Sequence, residues 1–183
     1  MKPALRKSKR VESSPAVKLT YFFISSIAIA VCAAIFIFKF VFIFASVNGD
    51  SMYPTLKDGN ILGVFRICPT YSQKDIVALY ADEQNSCLIK RIVAVENQTV
   101  DISDGIVYID GQPLDEPYLS QPTYNNGDVE FPITVPKGYV FVMGDNRNNS
   151  KDSRYTDVGM IDTKKIIGKT VLVLWPLSDF KLY

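Results

Sequence analysis

An uncharged run from Tyr21 to Phe38 constrains the fold of this chain more than any other feature. A helix that spans a lipid bilayer needs about 20 mostly apolar residues, and the run reaches that length together with its flanks. Residues 1–18 in front of it carry six basic residues and one glutamate, a net charge of +5. Because basic residues beside a span stay in the cytoplasm, the sequence predicts a transmembrane anchor over residues 19–39 behind a basic cytoplasmic tail at residues 1–18.

A cleavable secretory signal is the alternative interpretation of the same run. The apolar core of such a signal is roughly 7–15 residues long, and this run is longer. The basic segment before it, 18 residues, is also long for a cleavable signal. We therefore expect a retained, single-pass anchor in the cell membrane, with everything after residue 40 outside the cytoplasm. The rest of the chain carries 14 basic and 18 acidic residues and has no basic block of the kind that binds nucleic acid.

Residues 40–183 show the pattern of an extracytoplasmic β domain. Short apolar runs alternate with turn signals, and no sustained 3.6-residue period is present. Asp-Gly in YIDGQPL is the preferred two-residue hairpin turn, FVFIFASV predicts a strand that is buried or lies against lipid, and LSQPTYNNGDVEFP predicts an exposed excursion. The predicted strands lie in NILGVFRI, DIVALY, CLIKRIVAV, TVDI, IVYID, YVFVMG and KTVLVLW.

The chain has three cysteines and no histidine, which bears on both metal binding and disulfide formation. Without histidine, a zinc site needs cysteines or carboxylates as its ligands, and Cys68 and Cys87 do not form a Cys-x-x-Cys motif. We therefore expect no metal and no cofactor. Cys68 and Cys87 could pair in an oxidising compartment, although two free thiols that pack as small apolar residues are the preferred interpretation.

Ser51 in NGDSMYPTL, just after the apolar region, is a candidate nucleophile. A serine hydroxyl needs a base to take its proton, and histidine is absent. A lysine can act as that base only when it is neutral, and burial lowers its pKa from about 10.4. CLIKRIVAV places Lys90 in an apolar strand, where Lys90 but not Arg91 can lose a proton. An edge strand with two solvent-facing cations is the alternative that the pattern leaves open.

The segment MGDNRNNSKDSR, residues 143–154, has the composition of a loop. It is not an EF-hand, because Arg147 stands where that motif needs an acidic or amide ligand. The segment places Ser150, Asp152 and Arg154 at alternate positions. An Asp–Arg pair there could brace the loop and a hydroxyl could orient a lysine amine, although such loops are usually solvated surface.

Together, these segments resemble bacterial type I signal peptidase, the membrane-anchored Ser/Lys leader peptidase family. GDSMYPTL resembles its nucleophile segment, KDIVALY its next strand, IKRIVAV its lysine strand and GDNRNNSKDSR its most diagnostic loop, and the ending IIGKTVLVLWPL is also similar. The motifs occur in order behind one anchor and cover nearly the whole chain. The resemblance implies a mainly β fold of coiled antiparallel sheets, shared with the self-cleaving repressor proteases, with an apolar surface on the membrane.

The resemblance also implies a role for each motif residue. Ser51 would be the nucleophile of a serine endopeptidase, Lys90 its general base, and Ser150 would hold the Lys90 amine. Four charged residues of the loop would support them, as a pair formed by Asp152 and Arg154 and as loop-shaping residues Asp145 and Arg147.

The implied partners are the lipid bilayer and the signal peptides of exported preproteins, with no nucleic acid. The family cuts after small residues, in an Ala-x-Ala-like pattern. Apolar residues beside the nucleophile and the lysine would line the pocket for these side chains, namely Val47, Met52, Leu56, Leu88 and Ile89.

Two positions depart from the family pattern. Some members carry a serine two positions before the nucleophile, whose hydroxyl donates to the oxyanion, and this chain has Gly49 there. The family often has Pro-Gly-Asp after the lysine strand, where this chain has Glu-Asn-Gln. These departures affect the second oxyanion donor and the local turn, but not the Ser/Lys pair.

Two other functions fit parts of the sequence. A self-cleaving repressor would carry a DNA-binding module in front of its protease domain, whereas this chain has an anchor and a short basic tail. A membrane-anchored relative that assists the assembly of surface proteins without cutting is the other alternative, and the presence of both Ser51 and Lys90 argues against it.

Overall fold

In a computed structural model of the protein, residues 14–80 and 87–183 are described. The chain divides between Lys39 and Phe40 into two compact units. The first contains helix α1, Pro15–Phe40, except for its last residue. Within the described residues, α1 is the one helix that is long and apolar enough to cross a membrane, as judged by length and composition. At about 1.5 Å per residue its 26 residues span about 39 Å, which exceeds the roughly 30 Å of a bilayer core.

The predicted boundaries of the tail and the span remain predictions. Residues 1–13 of the tail lie outside the described residues, and Lys18 lies within α1. No described residue of α1 is buried within the protein. A helix that is apolar all round and not covered by protein is suited to a lipid environment.

The second unit, Phe40–Tyr183, is built of β-strands. Three short 3₁₀-helices connect them in the described residues, at Arg147–Asn149, Thr163–Lys165 and Leu177–Asp179. The strands of the described residues are β1 (Phe42–Ser46), β2 (Ile61–Phe65), β3 (Ile76–Tyr80), β4 (Cys87–Ala94), β5 (Thr99–Ser103), β6 (Ile106–Ile109), β7 (Gln112–Pro113), β8 (Ile133–Thr134), β9 (Tyr139–Met143), β10 (Ile161–Asp162), β11 (Ile166–Trp175) and β12 (Lys181–Leu182).

These strands form two sheets, and the pairings are antiparallel throughout the described part of the chain. The larger sheet has the order β1-β2-β11-β3-β4-β9-β10, with β12 beside β11, and the smaller has the order β7-β6-β5-β8. The predicted fold, mainly antiparallel β behind one N-terminal apolar helix, is confirmed.

The sequence signals for strands and turns agree with the structure in detail. Each of the seven predicted runs contains a strand, and FVFIFASV contains β1 at the edge of the larger sheet. Asp110 and Gly111 join β6 to β7 with φ values of 52° and 77°, both positive as a type I′ turn requires. A second turn of this kind, at Asp104 and Gly105, joins β5 to β6 and was not predicted.

The larger sheet is covered on both faces, because successive side chains of a strand point to opposite sides. Ile76 and Ala78 of β3 pack with Met52 and Leu56 in one buried apolar cluster. Val77 and Leu79 of the same strand pack in another, against β4, β9, β10 and β11. The smaller sheet packs on a cluster that includes Val100, Val107 and Phe141. The central strands β3 and β4 are therefore in the interior of the unit.

We expect Leu79→Ala to lower the free energy of unfolding by about 2–5 kcal/mol, because Leu79 is fully buried and the change leaves a cavity. Leu177→Ala is the matched control, since Leu177 is 71% exposed, and its effect should stay within about 0.5 kcal/mol. Denaturant unfolding of the full chain in detergent measures both. Equal effects of the two substitutions would contradict the packing of β3 described above.

Candidate active site

Ser51 lies in the connection between β1 and β2, which is fixed by its own backbone. The Val47 N–H donates to the Asn60 carbonyl at 2.9 Å, and the Gly59 N–H donates to the Val47 carbonyl at 3.0 Å. Met52, the next residue, is only 1% exposed. The Ser51 side chain is half-buried, so the connection holds the hydroxyl at the surface of a rigid turn.

Lys90 lies on β4, opposite Val77 of β3, and β4 is itself flanked by β3 and β9. Lys90 and Arg91 are 3% and 6% exposed. The alternative of an edge strand with two solvent-facing cations is therefore wrong. The Lys90 Nζ lies 2.7 Å from the Ser51 Oγ, which is hydrogen-bonding distance.

The surroundings of Lys90 favour its neutral form. Burial lowers the Lys90 pKa from 10.5 to about 8, while the nearby charges of Asp152 and Asp145 raise it and that of Arg154 lowers it. Among the described residues, no ion pair includes Lys90. At pH 8 about half of the molecules would carry a neutral amine beside the serine hydroxyl.

Asp152 and Arg154 form a fully buried ion pair in the loop behind Lys90. The Arg154 Nε donates to one carboxylate oxygen at 2.8 Å and its Nη2 to the other at 2.9 Å. The second oxygen also accepts from the Gly144 N–H at 3.0 Å. The Arg154 guanidinium also donates to three carbonyls, those of Arg147, Tyr124 and Ser150. The structure thus brings the predicted supporting pair together.

Asp145 and Arg147 also have partners in the interior of the fold, which were not predicted. Asp145 accepts from the Arg91 Nε at 2.8 Å and from its Nη2 at 2.6 Å. Arg147 pairs with Glu116 and donates to the Thr123 hydroxyl at 2.8 Å. Thr123 lies in the predicted exposed excursion but is 1% exposed, so at this residue that prediction is wrong. Because Glu116 and Thr123 are far from Arg147 along the chain, no local pattern indicates these contacts.

The predicted contact between Ser150 and the Lys90 amine is not formed. The Ser150 side chain is buried, and among the described residues its Oγ has no hydrogen-bond partner. The Oγ lies instead close to Gly144, where a Cβ would overlap it, while the Lys90 Nζ is bonded to Ser51. The role of Ser150 remains a prediction.

A small cleft of about 60 Å³ opens beside Ser51 and Lys90. Of the five predicted pocket residues, Val47, Met52, Leu88 and Ile89 line it. The placement of Leu56 in the pocket is wrong, because that side chain is fully buried and packs in the core beneath the turn. The cleft is completed by residues that were not predicted, namely Ser46, Asn48 and Cys87.

Cys32, Cys68 and Cys87 are all free thiols in this structure. Within residues 14–80 and 87–183, no group of three or more Cys, Asp or Glu side chains could hold a metal ion.

Comparison with known proteins identifies the family. The family model described as "Signal peptidase, peptidase S26" matches residues 21–175. Signal peptidase I of Bacillus licheniformis is 37% identical over 172 residues, covering 87% of this chain and 90% of the relative. That of Bacillus amyloliquefaciens is 35% identical over 192 residues, covering 98% and 96%. Signal peptidase I T of Bacillus subtilis is 36% identical over 167 residues, covering 85% and 86%.

A crystal structure of a signal peptidase I from Enterococcus faecalis aligns with a TM-score of 0.45 at 29% identity, covering 57% of this chain and 97% of that chain. The assignment rests on the family model and the sequence relatives, which match over most of the chain. The protein therefore belongs to the signal peptidase S26 family of serine endopeptidases.

Proposed function

We propose that this protein is a membrane-anchored endopeptidase that removes signal peptides from exported preproteins with a catalytic dyad of Ser51 and Lys90. The observation that carries the proposal is the 2.7 Å distance between the Lys90 Nζ and the Ser51 Oγ, with the lysine almost completely buried. The names of the relatives, signal peptidase I, support the substrate class.

The first half of the reaction follows from this contact. Neutral Lys90 accepts the Ser51 proton while the Oγ attacks the carbonyl carbon of the scissile peptide bond. The negative charge that develops on the carbonyl oxygen needs a donor, and the Ser51 backbone N–H is the candidate, since Gly49 offers no side chain. The Lys90 ammonium then gives its proton to the leaving amine. The C–N bond breaks, the mature protein departs, and the signal peptide remains as an ester on Ser51.

The second half repeats these steps with water as the nucleophile. Lys90, neutral again, accepts a proton from a water molecule while the oxygen of that water attacks the ester carbon. The collapse of the second tetrahedral intermediate breaks the bond to the Ser51 Oγ, which takes the proton back from Lys90. The signal peptide leaves with a free carboxylate.

The size and lining of the cleft support cleavage after small residues. Its volume is about 60 Å³, and the walls beside Ser51 include the apolar side chains of Val47, Met52 and Ile89. A small pocket with apolar walls suits a small apolar side chain. An alanine before the scissile bond therefore fits the cleft.

The membrane part of the proposal rests on α1 and on the surface of the second unit. The basic residues before the apolar run favour a cytoplasmic N-terminus, which places the dyad outside. Strands β1, β11 and β12 lie at one end of the larger sheet, and this region exposes large apolar side chains. These include Phe44, Trp175, Leu177, Phe180 and Leu182, an apolar surface suited to resting on lipid.

Ser51→Ala and Lys90→Ala should each lower the cleavage of a preprotein with an Ala-x-Ala site by at least about a thousandfold, because the dyad acts as a unit. Ser103→Ala and Lys137→Ala are matched controls at exposed positions and should retain full activity. The measurement is the rate of appearance of the mature protein in detergent. Undiminished processing by Ser51→Ala would refute the proposal.

The cleavage rate should increase with pH through about 8, because only neutral Lys90 can accept the serine proton and burial lowers its pKa to about 8. Below that value the rate should rise about tenfold per pH unit, and it should level off above about pH 9. The profile of kcat/KM between pH 6 and 10 measures this. A flat profile over that range would be inconsistent with Lys90 as the base.

Gly144 allows the loop to approach the nucleophile closely, and a side chain there should disrupt the dyad. A Cβ on Gly144 would overlap the Ser51 carbonyl oxygen and the Ser150 Oγ. Since a displacement of about 1 Å can lower a rate a hundredfold, Gly144→Ala should lower kcat by about that factor. Lys151→Ala, an exposed change in the same loop, is the control, and equal kcat values for the two variants would contradict the argument.

A further inference from the structure

Asn146 bridges the loop to the two peptide units on either side of Ser51. Its side-chain Nδ2 lies 3.0 Å from the Asp50 carbonyl oxygen, and its backbone N–H donates to the Ser51 carbonyl at 3.0 Å. A carbonyl oxygen only accepts hydrogen bonds, so the Asn146 amide nitrogen is the donor in the first contact. These two bonds connect one residue of the loop to both sides of the nucleophile.

The first of these bonds acts on the proposed oxyanion donor. The Asp50 carbonyl and the Ser51 N–H belong to one planar peptide unit and point in opposite directions. A bond that fixes the direction of the Asp50 carbonyl therefore fixes the direction of the Ser51 N–H. Among the hydrogen bonds of the described residues, none uses the Ser51 N–H, so that group is free to donate to a substrate.

The need for such a bond follows from Gly49. This residue brings no hydroxyl to the oxyanion, so the stabilisation of its charge depends on the Ser51 N–H. Gly49 also has a φ of 83°, a conformation that residues with a side chain rarely adopt, and its N–H donates to the Asp58 carboxylate at 2.7 Å, so the turn is held on the side away from Ser51. The Tyr53 N–H also donates to the Asp50 carbonyl, at 3.0 Å, but it belongs to the same turn and would move with it. Asn146 ties the peptide to a separate element.

That separate element is rigid. The residues on both sides of Asn146 are buried and ion-paired, Asp145 with Arg91 and Arg147 with Glu116. Among the described hydrogen bonds, none joins Asn146 to Lys90. A change of the Asn146 side chain should therefore affect the peptide before Ser51 without changing the pKa of Lys90.

We propose that Asn146 is a positioning residue that orients the Ser51 N–H toward the oxyanion of the tetrahedral intermediate. This inference rests on the proposed function, because it assumes that Ser51 is the nucleophile. It concerns the side chain alone, since the backbone bond from Asn146 to the Ser51 carbonyl is kept by any residue other than proline.

The test compares Asn146→Ala with Asn149→Ala. Asn149 lines the same surface cavity as Asn146, beside Asp50 and Tyr53, but among the described residues its side chain makes no hydrogen bond to the nucleophile turn. For Asn146→Ala we expect kcat to fall about tenfold to a hundredfold. This is no more than the decrease in kcat caused by removing an entire oxyanion donor, which is about a hundredfold to a thousandfold. KM and the pH at which the rate is half-maximal should stay unchanged, and Asn149→Ala should resemble the wild type.

A second measurement separates positioning from a general loosening of the fold. A peptide aldehyde ending in alanine adds to Ser51 and forms a hemiacetal whose oxygen occupies the oxyanion position, whereas the matching peptide carboxamide binds without this addition. Asn146→Ala should weaken inhibition by the aldehyde by the same factor as kcat/KM and leave inhibition by the carboxamide unchanged. Inhibition constants do not depend on the fraction of enzyme that is folded.

Equal losses for the aldehyde and the carboxamide, a loss confined to KM, a shifted pH profile, or full activity of Asn146→Ala would each overturn the inference. The proposed function fails differently, through cleavage by Ser51→Ala or no cleavage by the wild type. An inactive Ser51→Ala together with a fully active Asn146→Ala would reject the role of Asn146 and leave the dyad standing.

Discussion

The chemistry proposed for this site depends on keeping every carboxylate away from one buried lysine. Asp145 and Asp152 both lie close enough to raise the Lys90 pKa, and a direct ion pair with either would hold the amine in its charged form. Each carboxylate is instead bound at both oxygens by an arginine, Asp145 by Arg91 and Asp152 by Arg154. Because arginine stays protonated in proteins, both carboxylates keep a charged partner. The Lys90 amine is then hydrogen-bonded to the Ser51 hydroxyl and not to a carboxylate.

The same ion pairs explain the position of the loop. A buried charge needs a partner, so Arg91 on β4 can only be buried if Asp145 lies beside it, and this contact sets the loop against the strand that carries Lys90. Arg147 extends the attachment to Glu116, outside the loop. Gly144 then lets the chain pass close to the Ser51 carbonyl. The distance between nucleophile and base is therefore set by the ion pairs of two loop residues, Asp145 and Arg147, and by one glycine.

The strands and the main residues of the site were predictable, and the contacts that hold them were not. Short apolar runs mark β2 to β6, β9 and β11, and Asp110-Gly111 marks the turn after β6, because these signals are local. Lys90 stood out because the chain has no histidine and a lysine in an apolar strand is unusual. Alternation alone could not show that Arg91 is buried too, since that depends on its pairing with Asp145, 54 positions away. The burial of Leu56 could not be predicted either. An apolar residue near a nucleophile has the same sequence pattern whether it lines a pocket or packs in the core beneath it.

A site of this kind lowers the stability of the fold that contains it. The Lys90 pKa is about 8 in the folded protein, against an ordinary value of 10.5, so between these values the unfolded chain binds more protons. Stability therefore rises with pH across that window, and below it the lysine costs the folded state about 3 kcal/mol relative to an unshifted one. The apolar clusters on both faces of β3 and β4 offset this cost, because they bury those strands regardless of the charge. The core that makes the lysine a base is thus also what allows the fold to tolerate it.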